Sequence, residues 1–136
     1  MPEFVKLLAA INEEKTPPQR TRVIVCEILG RVGPKAKEAV PELVRVFEAP
    51  NDPDARLAAI LACSRIGKTS VGPLVTALRH EKAPVRAGAA EALGKIGAAA
   101  KEDALPELLR LSENEQDGEA LGQVQKALKR LEKDDR

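Results

Sequence analysis

Few residues in this 136-residue chain are of types that carry catalysis, and their spacing narrows the chemistry further. His80, followed by Glu81, is the single histidine. One imidazole cannot assemble a two-metal centre. Nor does a glycine-flanked serine accompany it to make a Ser-His-Asp relay. It reads instead as a solvated side chain at a helix C-terminus. Cys26 and Cys63 are the only thiols, and both fall in apolar runs. They read as two small buried hydrophobes, reduced and unbridged, and two thiolates alone cannot build a zinc site. The glycines form neither Gly-x-x-x-x-Gly-Lys-Ser/Thr nor Gly-x-Gly-x-x-Gly, so no phosphate cradle opens a helix. The expectation is a non-enzymatic protein with no cofactor and no metal.

What the chain does offer is charge at regular spacing. Glu3, Glu42 and Glu107 each stand three residues before a basic residue, Lys6, Arg45 and Arg110, with Thr76 in the same basic column. On a helix that spacing makes an intrahelical pair contributing a few tenths of a kcal/mol, about 0.2–0.5. The same residues, pointing outward together, would form a surface of alternating sign. Glu42, Arg45, Glu48, Thr76, Arg79, Glu107, Arg110 and Glu113 are therefore the candidate protein-binding residues.

These columns exist because the chain repeats. Arg86, Ala89, Ala90, Leu93, Ile96 and Gly97 correspond to Arg56, Ala59, Ile60, Cys63, Ile66 and Gly67, and to Arg22, Val25, Cys26, Leu29, Val32 and Gly33. Spacings of 34 residues from Arg22 to Arg56 and 30 from Arg56 to Arg86 are those of stacked supersecondary units. A second motif, Pro-Glu-apolar-apolar-basic-apolar, recurs at Pro2, Pro41 and Pro106, where proline would precede or open a helix. The expected helices are Glu3–Glu14, Pro17–Val32 capped through Thr16-Pro17-Pro18-Gln19, Lys37–Ala49, a helix capped by Asp52-Pro53 that ends at Ile66, Ser70–Glu81, Pro84–Ile96, Glu102–Glu113 after a turn at Gly97–Ala100, and Glu119 to about Lys133. The repeats divide as a partial unit at 1–14, full units at 16–49, 52–81 and 83–114, and a capping helix at 118–133. In that last helix Ala120, Leu121, Val124, Ala127, Leu128 and Leu131 make one apolar stripe, and Gln123, Lys126, Lys129 and Arg130 keep the other face wet.

The pattern Val-Arg-x-x-Ala-Ala-x-Ala-Leu-Gly-x-Ile-Gly at 85–97, followed by Pro-Glu-Leu-Leu-x-x-Leu, resembles a HEAT repeat of the short bacterial phycobilisome-lyase type. The resemblance implies an all-α fold, a right-handed α-solenoid of about eight helices in which second helices line a concave groove. It implies a scaffold or adaptor that holds a protein segment in that groove, with a bilin lyase or chaperone-like subunit, or a fragment of a larger enzyme or regulator, as alternatives. Deoxyhypusine hydroxylase, which is HEAT-like, holds iron with several His-Glu pairs just after the repeat arginine. Here those positions read Val23-Ile24, Leu57-Ala58 and Ala87-Gly88. The repeat arginines themselves read as structural, bonding loop carbonyls or carboxylates of the next unit.

Composition sets the remaining bounds. Twenty-two basic and 21 acidic residues nearly cancel, and only Phe4 and Phe47 are aromatic, so neither a nucleic-acid nor a membrane partner is expected. Glu3 and Lys6 interrupt the first apolar run, which argues against a signal segment and for a cytoplasmic protein. The initial helix, lacking a first-helix partner, leaves Phe4, Val5, Leu8 or Ile11 with one fewer covering layer. That end offers a surface for a homodimer.

Overall fold

The computed structural model describes residues 2–14, 20–49 and 52–133, and among them the regular structure is helical with no strand. The helices are α1 (Pro2–Glu13), α2 (Thr21–Val32), α3 (Val40–Val46), α4 (Pro53–Ile66), α5 (Val71–Ala77), α6 (Ala83–Ile96), α7 (Ala98–Asn114) and α8 (Gly118–Lys133). Tighter 3-10 segments at Gly33–Ala39 and Gly67–Ser70 lead into α3 and α5. Consecutive helices alternate between two rows. α2, α4, α6 and α8 pack in sequence along one, and α1, α3, α5 and α7 along the other. No described helix is long and apolar enough to cross a membrane.

The turns between rows follow from a glycine column. Gly33, Gly67 and Gly97 all sit at φ between 73° and 77°, a conformation closed to most side chains, and each ends a first-row helix. Asp52 caps α4 by accepting the Ala55 N–H at 3.2 Å, as Asp52-Pro53 leads one to expect. Buried Ser70 donates to the carbonyls of Cys63 and Gly67, at 2.9 and 2.7 Å, fastening the turn to the end of α4.

Several boundaries differ from the sequence reading. Arg20 adopts φ 67° and ψ 0°, so α2 starts at Thr21, not at Pro17. The Thr16-Pro17-Pro18-Gln19 cap lies outside the described residues. The helix expected over Lys37–Ala49 is α-helical only at Val40–Val46: its first residues belong to the 3-10 segment, which carries a break at Ala36 (φ −89°, ψ 16°), and the chain turns at Phe47 and Glu48. That expected over Ser70–Glu81 is likewise shortened to Val71–Ala77. The turn placed at Gly97–Ala100 is absent: Gly97 reverses the chain alone and α7 begins at Ala98. Pro106 consequently lies inside α7 instead of opening a helix. It is exposed, so water can take up the carbonyl that its missing N–H leaves without a partner.

The core runs continuously between the rows, built from Leu, Ile, Val and Ala with Phe47 as its largest member. Cys26 and Cys63 are both buried and unbridged. Burial among apolar atoms pushes each thiol up to about 12, which leaves them unreactive at neutral pH. Small residues decide how closely the first row packs. A Cβ on Gly30 would stand 3.1 Å from the Ala62 Cα, and one on Gly94 the same distance from the Ala127 Cα. Their counterpart in α4 is Ser64, and α4 meets α6 less extensively than α2 meets α4 or α6 meets α8. Phe47 fills the intervening space, its ring so close to Gly88 that a Cβ there would approach to 2.7 Å.

Candidate functional site

Each repeat arginine joins three elements. Arg22 donates to the Ile11 carbonyl at 3.2 Å and to Asn12 Oδ1 at 3.3 Å at the end of α1, and lies 3.8 Å from Asp52 ahead of α4. Arg56 donates to the Phe47 carbonyl at 3.2 Å and to the Pro84 carbonyl at 3.0 Å. Arg86 donates to the His80 and Glu81 carbonyls at 2.9 and 3.0 Å, and makes a two-pronged pair with Glu115 at 2.7 and 2.9 Å. In every copy, then, the guanidinium ties the end of the preceding second-row helix to the approach to the next first-row helix. These arginines are structural, as their recurrence in the sequence suggests.

Glu115 is the acid that the sequence did not single out. It lies in the loop between α7 and α8 that composition marks as the most polar, yet its side chain is only 2% exposed. Hydrogen bonds from Arg86 hold its carboxyl below the usual carboxylate range against the opposing effect of burial.

The candidate binding residues lie on the second row and in the loops that follow α3 and α5. Arg45, Thr76, Arg79 and Glu113 are exposed, and Glu42, Glu48, Glu107 and Arg110 are partly covered. The intrahelical pairs form as their spacing implies, Arg45 to Glu42 at 3.1 Å and Arg110 to Glu107 at 3.0 Å. Each also engages a neighbouring helix. Arg45 reaches Glu13 of α1 at 2.6 Å, and Asn12 donates to Glu42 at 2.9 Å. Arg79, just past α5, donates to Glu107 of α7 at 2.5 Å. Between these clusters Lys82 pairs with Glu48 at 2.6 Å. The cross-helix members Glu13, Asn12 and Lys82 escaped sequence reasoning, since they stand about thirty residues from their partners and share no repeat column with them.

Two triads result, with opposite surplus. Between α1 and α3, one guanidinium lies between two carboxylates, Glu13–Arg45–Glu42. Between α5 and α7, one carboxylate lies between two guanidinia, Arg79–Glu107–Arg110. Hydrogen bonds from Arg79 and then Arg110 keep the Glu107 carboxyl below its ordinary range, and the one that Arg45 donates to Glu13 holds Arg45 above its own. Beside the basic triad an open cleft of about 480 Å³ is walled by Arg79, His80, Arg86, Arg110, Leu111 and Asn114. His80 accepts the Lys82 backbone N–H on Nδ1 at 3.0 Å, so that nitrogen is engaged within the loop. No group of three or more His, Cys, Asp or Glu able to hold a metal occurs among the described residues.

A family profile of HEAT repeats matches residues 52–129, more than half of the chain. No curated protein matches it.

Proposed function

The chain belongs to the HEAT-repeat family, and we propose that it is a non-enzymatic interaction module that holds a segment of another protein against α1, α3, α5 and α7. In this reading the helix pairs stack as a right-handed solenoid with repeats at 16–49, 52–81 and 83–114, and the second row lines the concave side. The observation that carries the reading is the pair of oppositely biased triads. Neither is neutral, and both lie on the second row. An extended segment with a basic group toward Glu13 and Glu42 and an acidic group toward Arg79 and Arg110 would complement both, its apolar side chains entering the cleft above Leu111.

The test is comparative capture from native lysate with the chain as bait. Proteins retained by the unaltered chain and by a Lys95→Glu/Lys126→Glu variant on the first row, but lost from Arg45→Glu/Arg110→Glu, support the reading. Identical retention by all three baits moves the site elsewhere.

A further inference from the structure

We propose that the cleft between α6 and α8 is a binding site for a phosphate group, taken up as the free ion or as a phosphomonoester. It lies on the first row, apart from the second-row surface, so it goes beyond the proposed function and does not depend on it. The cleft measures about 200 Å³ and is walled by Glu91 and Lys95 of α6 and by Gln123, Lys126 and Arg130 of α8. Its floor is formed where the two helices come closest, at Gly94 and Ala127, and these small residues leave space between the longer side chains. Three cations stand against one carboxylate, a surplus of two positive charges. None of the three makes an ion pair or a side-chain hydrogen bond among the described residues, whereas the repeat arginines and Arg45, Arg79 and Arg110 are all paired. Lys95 is also half-buried, where a counter-charge is worth more than at an open surface.

The equivalent groove between α2 and α4 shows what sets this one apart. Leu121 holds the place of the repeat arginine in α8, and counting from it sets Gln123 against Ala58, Lys126 against Leu61 and Arg130 against Arg65. On the facing helix Glu91 and Lys95 answer to Glu27 and Arg31. The backbones approach equally closely in both places, a Cβ on Gly30 or Gly94 standing 3.1 Å from the alanine Cα opposite. Between α2 and α4, two cations and one carboxylate accompany an alanine and a leucine. Between α6 and α8, an amide and a third cation take the places of those two apolar side chains. A phosphate group matches the result. At neutral pH it carries about −1.5 to −2 charges and three strong acceptor oxygens, enough to engage Lys95, Lys126 and Arg130 together with the Gln123 amide. A carboxylate would leave one cation uncompensated.

Two-dimensional NMR of the full chain at neutral pH and constant ionic strength tests the site, with inorganic phosphate and glycerol 3-phosphate as probes and acetate as the monoanion. At least one phosphate should shift the backbone amides of residues 91–95 and 123–130 saturably, and acetate should bind at least about tenfold more weakly. Tighter binding of glycerol 3-phosphate assigns the site to a phosphomonoester, and tighter binding of inorganic phosphate to the free ion. Gln123→Ala/Lys126→Leu, which gives the cleft the residues of its α2–α4 counterpart, should weaken phosphate at least about tenfold while the chain still melts cooperatively. If that variant unfolds, Lys126→Gln at an exposed position supplies the same comparison. Shifts that grow linearly with both phosphates, binding that survives unchanged in the variant, or equal shifts at Glu27, Arg31 and Arg65, overturn the proposal.

Discussion

The two rows of helices are held together differently. In the first row, backbones meet over Gly30 and Gly94, and buried or half-buried arginines tie each helix to the loops on either side. In the second row, α3 and α5 span only seven residues each, and cross-helix contacts at its surface are made by exposed or half-exposed ion pairs. Pairs of that kind contribute roughly 0–1 kcal/mol, whereas overpacking a helix interface costs about 1–3 kcal/mol. The first row therefore carries the fold, and the surface of the second is free to vary in sequence without endangering it.

The largest loss should come where the rows meet. Phe47→Ala empties the space between α3, α4 and α6, and should cost about 3–5 kcal/mol in denaturant unfolding. Adding Gly88→Leu to that variant should recover part of the loss, a non-additivity that a passive surface phenylalanine would not give. Next comes the first row itself. Gly94→Leu drives a side chain against the Ala127 backbone, which cannot yield as a flexible side chain would, and should cost about 3 kcal/mol despite the better helix former. Ser64→Leu, in the same column at the looser α4/α6 contact, should cost clearly less. Equal losses would show that the first row is uniform after all.

Arg86→Ala should follow, at about 2–3 kcal/mol, because it strands a carboxylate that is 2% exposed; Arg56→Ala, whose partners are mainly carbonyls, should cost about 1 kcal/mol. The pH dependence separates them further. The Glu115 carboxyl is depressed in the folded state, so the pair's contribution is present above the unfolded carboxylate range and is lost as pH falls through the lower folded value. Arg86→Ala should flatten the acid side of the stability profile, and Arg56→Ala should not. For the two thiols the sign reverses. Raised from 9.0 to about 12 by burial, they stabilise the fold below the unfolded thiol range, and that contribution declines as pH rises beyond it. A thiol reagent at neutral pH should accordingly leave Cys26 and Cys63 unmodified until the chain unfolds.

The first row was more legible in the sequence than the second. The arginine column and the glycine that closes each first-row helix repeat in register, and each recurs because the same contact recurs. The close-approach column stayed hidden because it reads Gly30, Ser64, Gly94 and Lys129, four residue types chosen by what each neighbour must fit. Pro106 misled for a similar reason: its motif matches Pro41, but a glycine that reverses the chain alone starts α7 a full two turns earlier. On the second row, spacing yielded the pairs Glu42–Arg45 and Glu107–Arg110, since i and i+3 are neighbours on any helix. It could not yield Glu13–Arg45, Glu48–Lys82 or Arg79–Glu107. Those depend on how far one helix is displaced along the next, which no single repeat encodes.

The smallest stability change should come from the second row, and it is joined to the largest functional one. Reversing Arg45 and Arg110 to Glu should shift the unfolding free energy by no more than about 1 kcal/mol. Calorimetric titration of the captured partner into this variant and the unaltered chain, with a thermal melt of each, tests the division between the rows most directly. The account predicts nearly coincident melts and at least a tenfold loss of affinity in the variant, while Lys95→Glu/Lys126→Glu retains both. A variant that melts as early as Gly94→Leu, or one that binds the partner as tightly as the unaltered chain, would contradict it.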